Sequence, residues 1–257
     1  MEKEVIYPKI NVYHNAVANP YGIISLSENQ NTQLLPWYRW YEFGKQTLFV
    51  GYPHFSFSTF PSNEEWKNVL NQTDNQLARD IANYFFNCTT DYVKSNNVAM
   101  QNWVHGQPSL CMYEAEQKNH SLAMQYHTDF IMSQAECRGF KHWITCNIYL
   151  NDDYDGGELS FKIFKNENEY DIIRYKPKAG DAVIFPSHEP YYHGVAKTTS
   201  GKKYFIRMFW GYEYEGSPKW LEQESIYGPE EWAEIEKRRI DYENKSSKWM
   251  KGNIEEF

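Results

Sequence analysis

The chain has no C-x-x-C pair, no apolar run long enough to span a bilayer, no excess of positive charge, no internal repeat and no low-complexity tract. Each absence removes a class of function. The four cysteines, Cys88, Cys111, Cys137 and Cys146, are spaced too irregularly for a zinc knuckle or a redox dithiol, so reduced buried thiols are expected. A membrane helix needs about 20 mainly apolar residues, and no stretch approaches that. The opening Met1-Glu2-Lys3-Glu4, which soon reaches Pro8, lacks the apolar core of a secretory leader. The expectation is a cytoplasmic protein with no membrane partner. With 26 Lys and Arg against 34 Asp and Glu, the formal net charge is −8. Clustered cations that displace counterions from nucleic acid are missing, so no nucleic-acid partner is expected. The ligand is then a small molecule or a peptide.

What the chain does have is aromatic side chains, 18% of 257 residues, a mix that favours wide packed sheet faces over long helices alone. Residues 1–60 show no clean periodicity and suggest short strands and loops. Ser62-x-x-Glu65 and Thr73-x-x-Gln76 have the form of helix capping boxes, and Leu77, Ile81, Tyr84, Phe85 and Cys88 then recur at helical spacing. From Ser109 the pattern changes to strands, expected near 109–115, 121–131, 142–150, 158–164, 170–175, 181–186, 191–196 and 204–212. Eight strands in this order suggest a double-sheet jelly roll. Gly228-Pro229-Glu230-Glu231 reads as the start of a C-terminal helix. The fold class expected is mainly β with flanking helices (α+β), as one domain. It comprises N-terminal strands and helices (1–108), a jelly-roll core (109–212) and a helical tail (213–257).

His127-Thr128-Asp129 falls in an expected strand, where alternate side chains share a face, so an imidazole and a carboxylate project together. Taken alone, such a pair arises by chance too often to signify a metal site. His193, at the end of a later strand-like run, supplies a third ligand. Two histidines and one carboxylate on one face suit non-heme iron(II), because open positions remain for a co-substrate and oxygen. Ten residues beyond His193 lies Lys203. A keto-diacid such as 2-oxoglutarate chelates iron through its keto oxygen and C1 carboxylate, and a cation deeper in the barrel is needed for the distal C5 carboxylate. Lys203 is the candidate. Thr145, which shares the inward parity of Asn147 and Tyr149, is a candidate pocket residue. His120, His142 and His188 lack ligand-like partners at useful spacing and read as loop or surface residues.

These residues, together with Thr145-Cys146-Asn147-Ile148-Tyr149-Leu150-Asn151, Asp155-Gly156-Gly157-Glu158-Leu159-Ser160-Phe161 and Pro177-x-x-Gly180-Asp181-Ala182-Val183-Ile184-Phe185-Pro186-Ser187, resemble the prolyl 4-hydroxylase-like branch of the iron(II)- and 2-oxoglutarate-dependent dioxygenases. His193-Gly194-Val195, Gly201-Lys202-Lys203-Tyr204 and Trp210 continue the match, which spans about residues 109–212. The resemblance implies a double-stranded β-helix, with Fe(II), 2-oxoglutarate and O2 as cofactors and co-substrates and ascorbate as a candidate reductant. It implies that Tyr149 assists Lys203 at the C5 carboxylate and that Tyr113 lies near the metal end of the co-substrate. Glu114 to Ser121 departs from the family as an insertion, and Tyr126 competes for the role of Tyr113. Arg207, two inward-facing steps beyond Lys203, is the alternative C5 anchor or a ligand for a substrate carboxylate.

The activity implied is hydroxylation of an unactivated C–H bond, of a prolyl residue, a proline-like molecule or another amino acid, with release of succinate and CO2. Related halogenases lack the metal carboxylate, and Asp129 is retained here. Two other classes stay open from sequence: a non-catalytic jelly-roll metal- or ligand-binding protein, and a cupin-like metal enzyme that uses no 2-oxoglutarate. The segments Trp37 to Phe60 and Glu114 to Ser121 are candidate substrate walls, with Arg207 or Arg138 as charge partners for a free amino acid.

Overall fold

Side chains on a strand alternate between two faces, and this chain uses the alternation to build one sheet with a core on each side. The computed structural model describes residues 1–28, 38–40, 45–49, 55–72, 76–98, 102–106, 108–115, 122–130, 140–166, 168–213 and 230. The elements, in chain order, are β1 (Glu2–Tyr7), β2 (Ile10–His14), α1 (Pro20–Glu28), β3 (Tyr38–Trp40), β4 (Lys45–Phe49), β5 (Phe55–Phe57), α2 (Asn63–Leu70) and α3 (Gln76–Ser95). Then follow β6 (Trp103–His105), β7 (Ser109–Glu114), β8 (Leu122–His127), β9 (Phe140–Tyr149), β10 (Asp155–Gly156), β11 (Leu159–Phe164), β12 (Tyr170–Tyr175), β13 (Ala182–Pro186), β14 (Tyr191–Ala196), β15 (Thr198–Ser200) and β16 (Lys202–Glu213). All eight strands expected from Ser109 onward are present, with ends shifted by a residue or two, except that the strand expected at 121–131 stops at His127, four residues early and before Asp129.

The larger sheet runs β1-β2-β13-β9-β16-β7-β4-β3, with β6 paired to β16 and β5 to β6; the smaller runs β12-β11-β14-β8. The two sheets face each other as a jelly roll. The expected boundary near residue 108 marks a change in sequence texture, whereas the hydrogen-bonded sheet continues across it. The β1–β2 hairpin extends one edge through β13, and β4 adds to β7 on the other side.

Between the sheets, Cys111, Tyr113, Tyr149, Val183, Phe185 and Phe205 meet Leu159, Phe161 and Val195. On the opposite face of the larger sheet, Ile144, Cys146, Ile148, Ile206, Met208 and Trp210 pack against the helices. Ser62 and Glu65 form the expected capping box of α2, each side chain satisfying a backbone amide of the other. Thr73, the expected second cap, lies outside the described residues. Helix α3 buries Ala78, Ile81, Ala82, Phe85, Phe86, Cys88, Thr89 and Tyr92, a stripe at spacings of three and four, while Leu77 and Tyr84 are partly buried beside it. Trp66 from α2 stacks on Phe86 at 4.7 Å. Asp91 of α3 accepts from Lys3 and from the Tyr13 hydroxyl, both at 2.9 Å, which clasps the helix to the β1–β2 hairpin.

No described helix is long and apolar enough to cross a membrane. The expected C-terminal helix, Arg138, Cys137, His120 and the segment 116–121 lie outside the described residues, except that Glu230 is helical.

Candidate metal and co-substrate site

At one end of the space between the sheets, His127 ends β8 and stands directly opposite His193 of β14 in the antiparallel register. Asp129 lies just past the strand end, in a turn fixed by the Phe130 amide donating to the Ser187 carbonyl at 3.0 Å. Ligand atoms of the three side chains fall within 4.8 Å of one another. His127 Nε2 is 3.5 Å from Asp129 Oδ1, and His193 Nε2 is 3.1 Å from Oδ2. Phe185 packs edge-on against the His193 ring at 4.7 Å, with Phe161 beyond it. Asp129 and His193 are buried, and His127 is the more exposed side of the triad.

The protonation of this cluster suits a cation. Burial pushes the Asp129 carboxyl up, but the charges and hydrogen bonds of His193 and His127 outweigh it and hold the pKa well below the usual carboxylate range. Burial pushes His193 down, toward the neutral imidazole that ligates metal. The donor set of two imidazoles and one carboxylate fits iron(II).

Thr145 points inward, as its parity indicated, but its hydroxyl goes to the metal carboxylate. It donates to Asp129 Oδ2 at 2.7 Å and lies 2.8 Å from Ser187 Oγ, with both residues fully buried. Thr145 therefore supports a metal ligand through Oγ1. The sequence reading missed the Ser187 contribution, since nothing in its local pattern marks a hydroxyl aimed across the sheet.

Cross-strand register orders the rest of the pocket. Tyr149 faces Phe205, Asn147 faces Arg207 and Thr145 faces Phe209. The Thr145 end holds the metal ligands, and the Tyr149 end holds Lys203. Lys203 is 1% exposed; its ammonium donates to the Gly157 carbonyl and sits 5.0 Å from the Tyr149 ring centre. Burial pushes its pKa down to about 7, with Lys176 adding to the effect. Around it the buried hydroxyls of Tyr154 and Thr198 have no hydrogen-bond partner among the described residues. A buried cation beside orphaned hydroxyls is a site for a carboxylate. Gly157, at φ +69°, lets these groups converge, since a Cβ there would lie 2.9 Å from the Tyr154 ring and 3.2 Å from the Lys203 side chain. Tyr154 and Thr198 were missed in the sequence, where they sit in loop-like or short-strand context without alternation.

Tyr113 stacks on Phe205 at 5.6 Å, and its hydroxyl feels the charges of Arg207 and Asp129, so it faces the metal end. Tyr126 does not compete for that place. It points to the outer face of the smaller sheet and bonds Ser160 Oγ at 2.7 Å, because it is the strand neighbour of the inward-facing His127 and consecutive side chains alternate. Arg207 lies level with Asn147, on the metal side of Lys203, with its guanidinium 5.0 Å from the Phe209 ring.

His142 departs from the loop or surface reading. It is buried in β9 and stacks face to face on Phe209 at 3.7 Å, because the register shift between Trp210 and Gly211 turns it toward the pocket. His188 does occupy a loop, yet it is half-buried against Trp143 at 4.2 Å and burial holds its pKa down to about 4.

A jelly roll with a two-histidine, one-carboxylate cluster at one end and a buried lysine further in defines a class of non-heme iron oxygenases. Residues 110–211 match the family model described as the 2OG-Fe(II) oxygenase superfamily. The matched segment contains all three ligand residues and Lys203, and the cofactors of the superfamily it resembles are Fe(II), 2-oxoglutarate and O2. A prolyl hydroxylase from Trichoplax adhaerens, solved with a hypoxia-inducible factor peptide, shares the fold at a TM-score of 0.50 and 14% identity, covering 79% of this chain and 84% of that one. The non-heme α-ketoglutarate-dependent epimerase SnoN of nogalamycin biosynthesis shares it at 0.53 and 12% identity, covering 83% of each chain. At these identities the likeness concerns fold. No curated protein matches the chain.

Proposed function

We propose that this protein hydroxylates an unactivated C–H bond of a prolyl residue or amino-acid-like substrate, converting substrate, 2-oxoglutarate and O2 into hydroxylated product, succinate and CO2. The observation that carries the reading is one inward-facing surface with His127, Asp129 and His193 at one end and the buried Lys203 ammonium further in. His127, Asp129 and His193 hold the iron, which supplies oxygen activation coupled to oxidative decarboxylation of the co-substrate. Lys203 grips the C5 carboxylate, helped by Tyr149 and by the free hydroxyls of Tyr154 and Thr198. This puts the keto acid end toward the triad, with Tyr113 beside it. Thr145 keeps Asp129 oriented, and Phe161 and Phe185 wall off water behind His193. Lys203 is preferred to Arg207 as the C5 anchor because it is fully buried among orphaned donors at the far end of the pocket.

Anaerobic addition of Fe(II) and then 2-oxoglutarate should give a visible charge-transfer band, and aerobic incubation should yield succinate. His127→Ala should abolish both. A wild-type protein that gives neither would remove the reading. Because an epimerase shares the fold, product mass decides between outcomes: hydroxylation adds one oxygen atom, and epimerisation leaves the mass unchanged.

A further inference from the structure

Among the described residues Arg207 is a cation without an anion. Among the described residues it makes no ion pair or hydrogen bond; its guanidinium rests on Phe209, and its Nε is buried with no partner. It faces inward at the level of the metal ligands, and its charge acts on both His193 and Tyr113. An unpaired guanidinium in a part-buried pocket is costly unless a ligand completes it.

Formal charge shows which ligand that is. Fe(II) with Asp129 leaves one positive charge, and that charge together with Lys203 balances the two carboxylates of 2-oxoglutarate. Arg207 is then one cation in excess on the triad side of Lys203. Lys203 and Arg207 stand about 13 Å apart along β16, so they serve different groups.

The neighbour across the strand pair is Asn147, also buried. Its amide group hydrogen-bonds Tyr149, while its Oδ1 has no partner among the described residues. A free cation and a free acceptor thus stand side by side, facing the same space. That pairing matches a zwitterion: a carboxylate for the guanidinium and an ammonium for Oδ1.

We infer that Arg207 and Asn147 bind the α-carboxylate and α-ammonium of a free amino acid, making this an oxygenase of free amino acids rather than of residues inside a peptide. The inference rests on the oxygenase reading above, and the test separates the two.

Iron(II)- and 2-oxoglutarate-loaded protein is assayed for succinate formation with the twenty free L-amino acids, their primary amides and their N-acetyl derivatives. One or more free amino acids should raise succinate formation above the uncoupled rate. The matching amide and N-acetyl compound should need at least about tenfold higher concentration, the scale of losing a hydrogen bond to a charged group. R207M should raise the half-stimulating concentration of the free acid at least about thirtyfold, as expected for removing one partner of a desolvated charge pair. It should also erase the preference for acid over amide. N147L should erase the preference for the free over the acetylated amine.

Three results overturn the proposal: amides as effective as acids, no stimulation by any free amino acid, or a tenfold rise in the 2-oxoglutarate dissociation constant of R207M by the anaerobic band. The last would assign Arg207 to the co-substrate. If the band forms in all these cases, the oxygenase reading stands and only the substrate class falls. If the band never forms, the oxygenase reading itself fails.

Discussion

Loading the pocket with 2-oxoglutarate should draw a proton out of solvent. Burial among aromatic rings, with the charge of Lys176 adding to it, holds the Lys203 pKa down to about 7 in the empty protein. A carboxylate placed beside the ammonium favours the charged form and lifts that pKa. At pH 8 a group with a pKa of about 7 is only about 10% protonated, so binding should take up about 0.9 proton per site. Affinity should fall about tenfold per pH unit above 7, until the pH meets the raised pKa of the complex. Stability of the empty protein carries the same linkage with its own sign. The folded pKa lies below the unfolded value of about 10.4, so the unfolded chain holds the extra proton between those limits and stability rises with pH across that window. Below about pH 7 both states are protonated and the cost of the buried charge is constant. The assay is calorimetric titration of manganese(II)-loaded protein with 2-oxoglutarate at pH 8, in two buffers of different ionisation enthalpy. Lys203→Arg keeps a cation that does not titrate, and its proton uptake should drop close to zero. Equal uptake by wild type and Lys203→Arg, or affinity flat between pH 7 and 9, would refute the reasoning.

Thr145→Val removes the donor to Asp129 while keeping shape, and manganese(II) affinity measured by paramagnetic resonance should weaken about 10- to 100-fold. Ser187→Ala should cost less, and the double variant should bind no more weakly than Thr145→Val, because Ser187 reaches Asp129 only through Thr145. Ser62→Ala should lower stability by about 1 kcal/mol in urea unfolding, the usual worth of a helix N-cap. Phe85→Ala, in the fully packed layer between α3 and the larger sheet, should cost about 3–5 kcal/mol by the same measurement.

Much of the architecture was legible because strand alternation is a local property. The eight strands after Ser109 could be placed from period and turns, and the inward parity of Thr145, Asn147 and Tyr149, or of Lys203 and Arg207, followed from counting by twos. The α2 cap was legible for the same reason, since Ser62 and Glu65 interact within one turn. What stayed hidden depends on contacts between distant segments. The bond from Thr145 to Asp129 joins the two sheets, and the orphaned hydroxyls of Tyr154 and Thr198 gain meaning only once Lys203 is seen between them. Tyr126 was excluded by parity alone, since it alternates with His127, whereas an irregularity in register misled the reading of His142, because a single extra residue in a strand reverses every direction beyond it. The β1–β2 hairpin at the sheet edge left no clear alternation, since β1 is largely solvent-facing and its partner β2 largely buried.

Strand β16 carries both inward cations, while its other face, Tyr204, Ile206, Met208 and Trp210, is locked under the helices. A slip of one position against β9 would swing Lys203 and Arg207 outward together and turn oily side chains into the pocket. Co-substrate grip and substrate grip are thus ganged on one ribbon. The tightness of the helical layer behind it, remote from any chemistry, governs how faithfully both are presented.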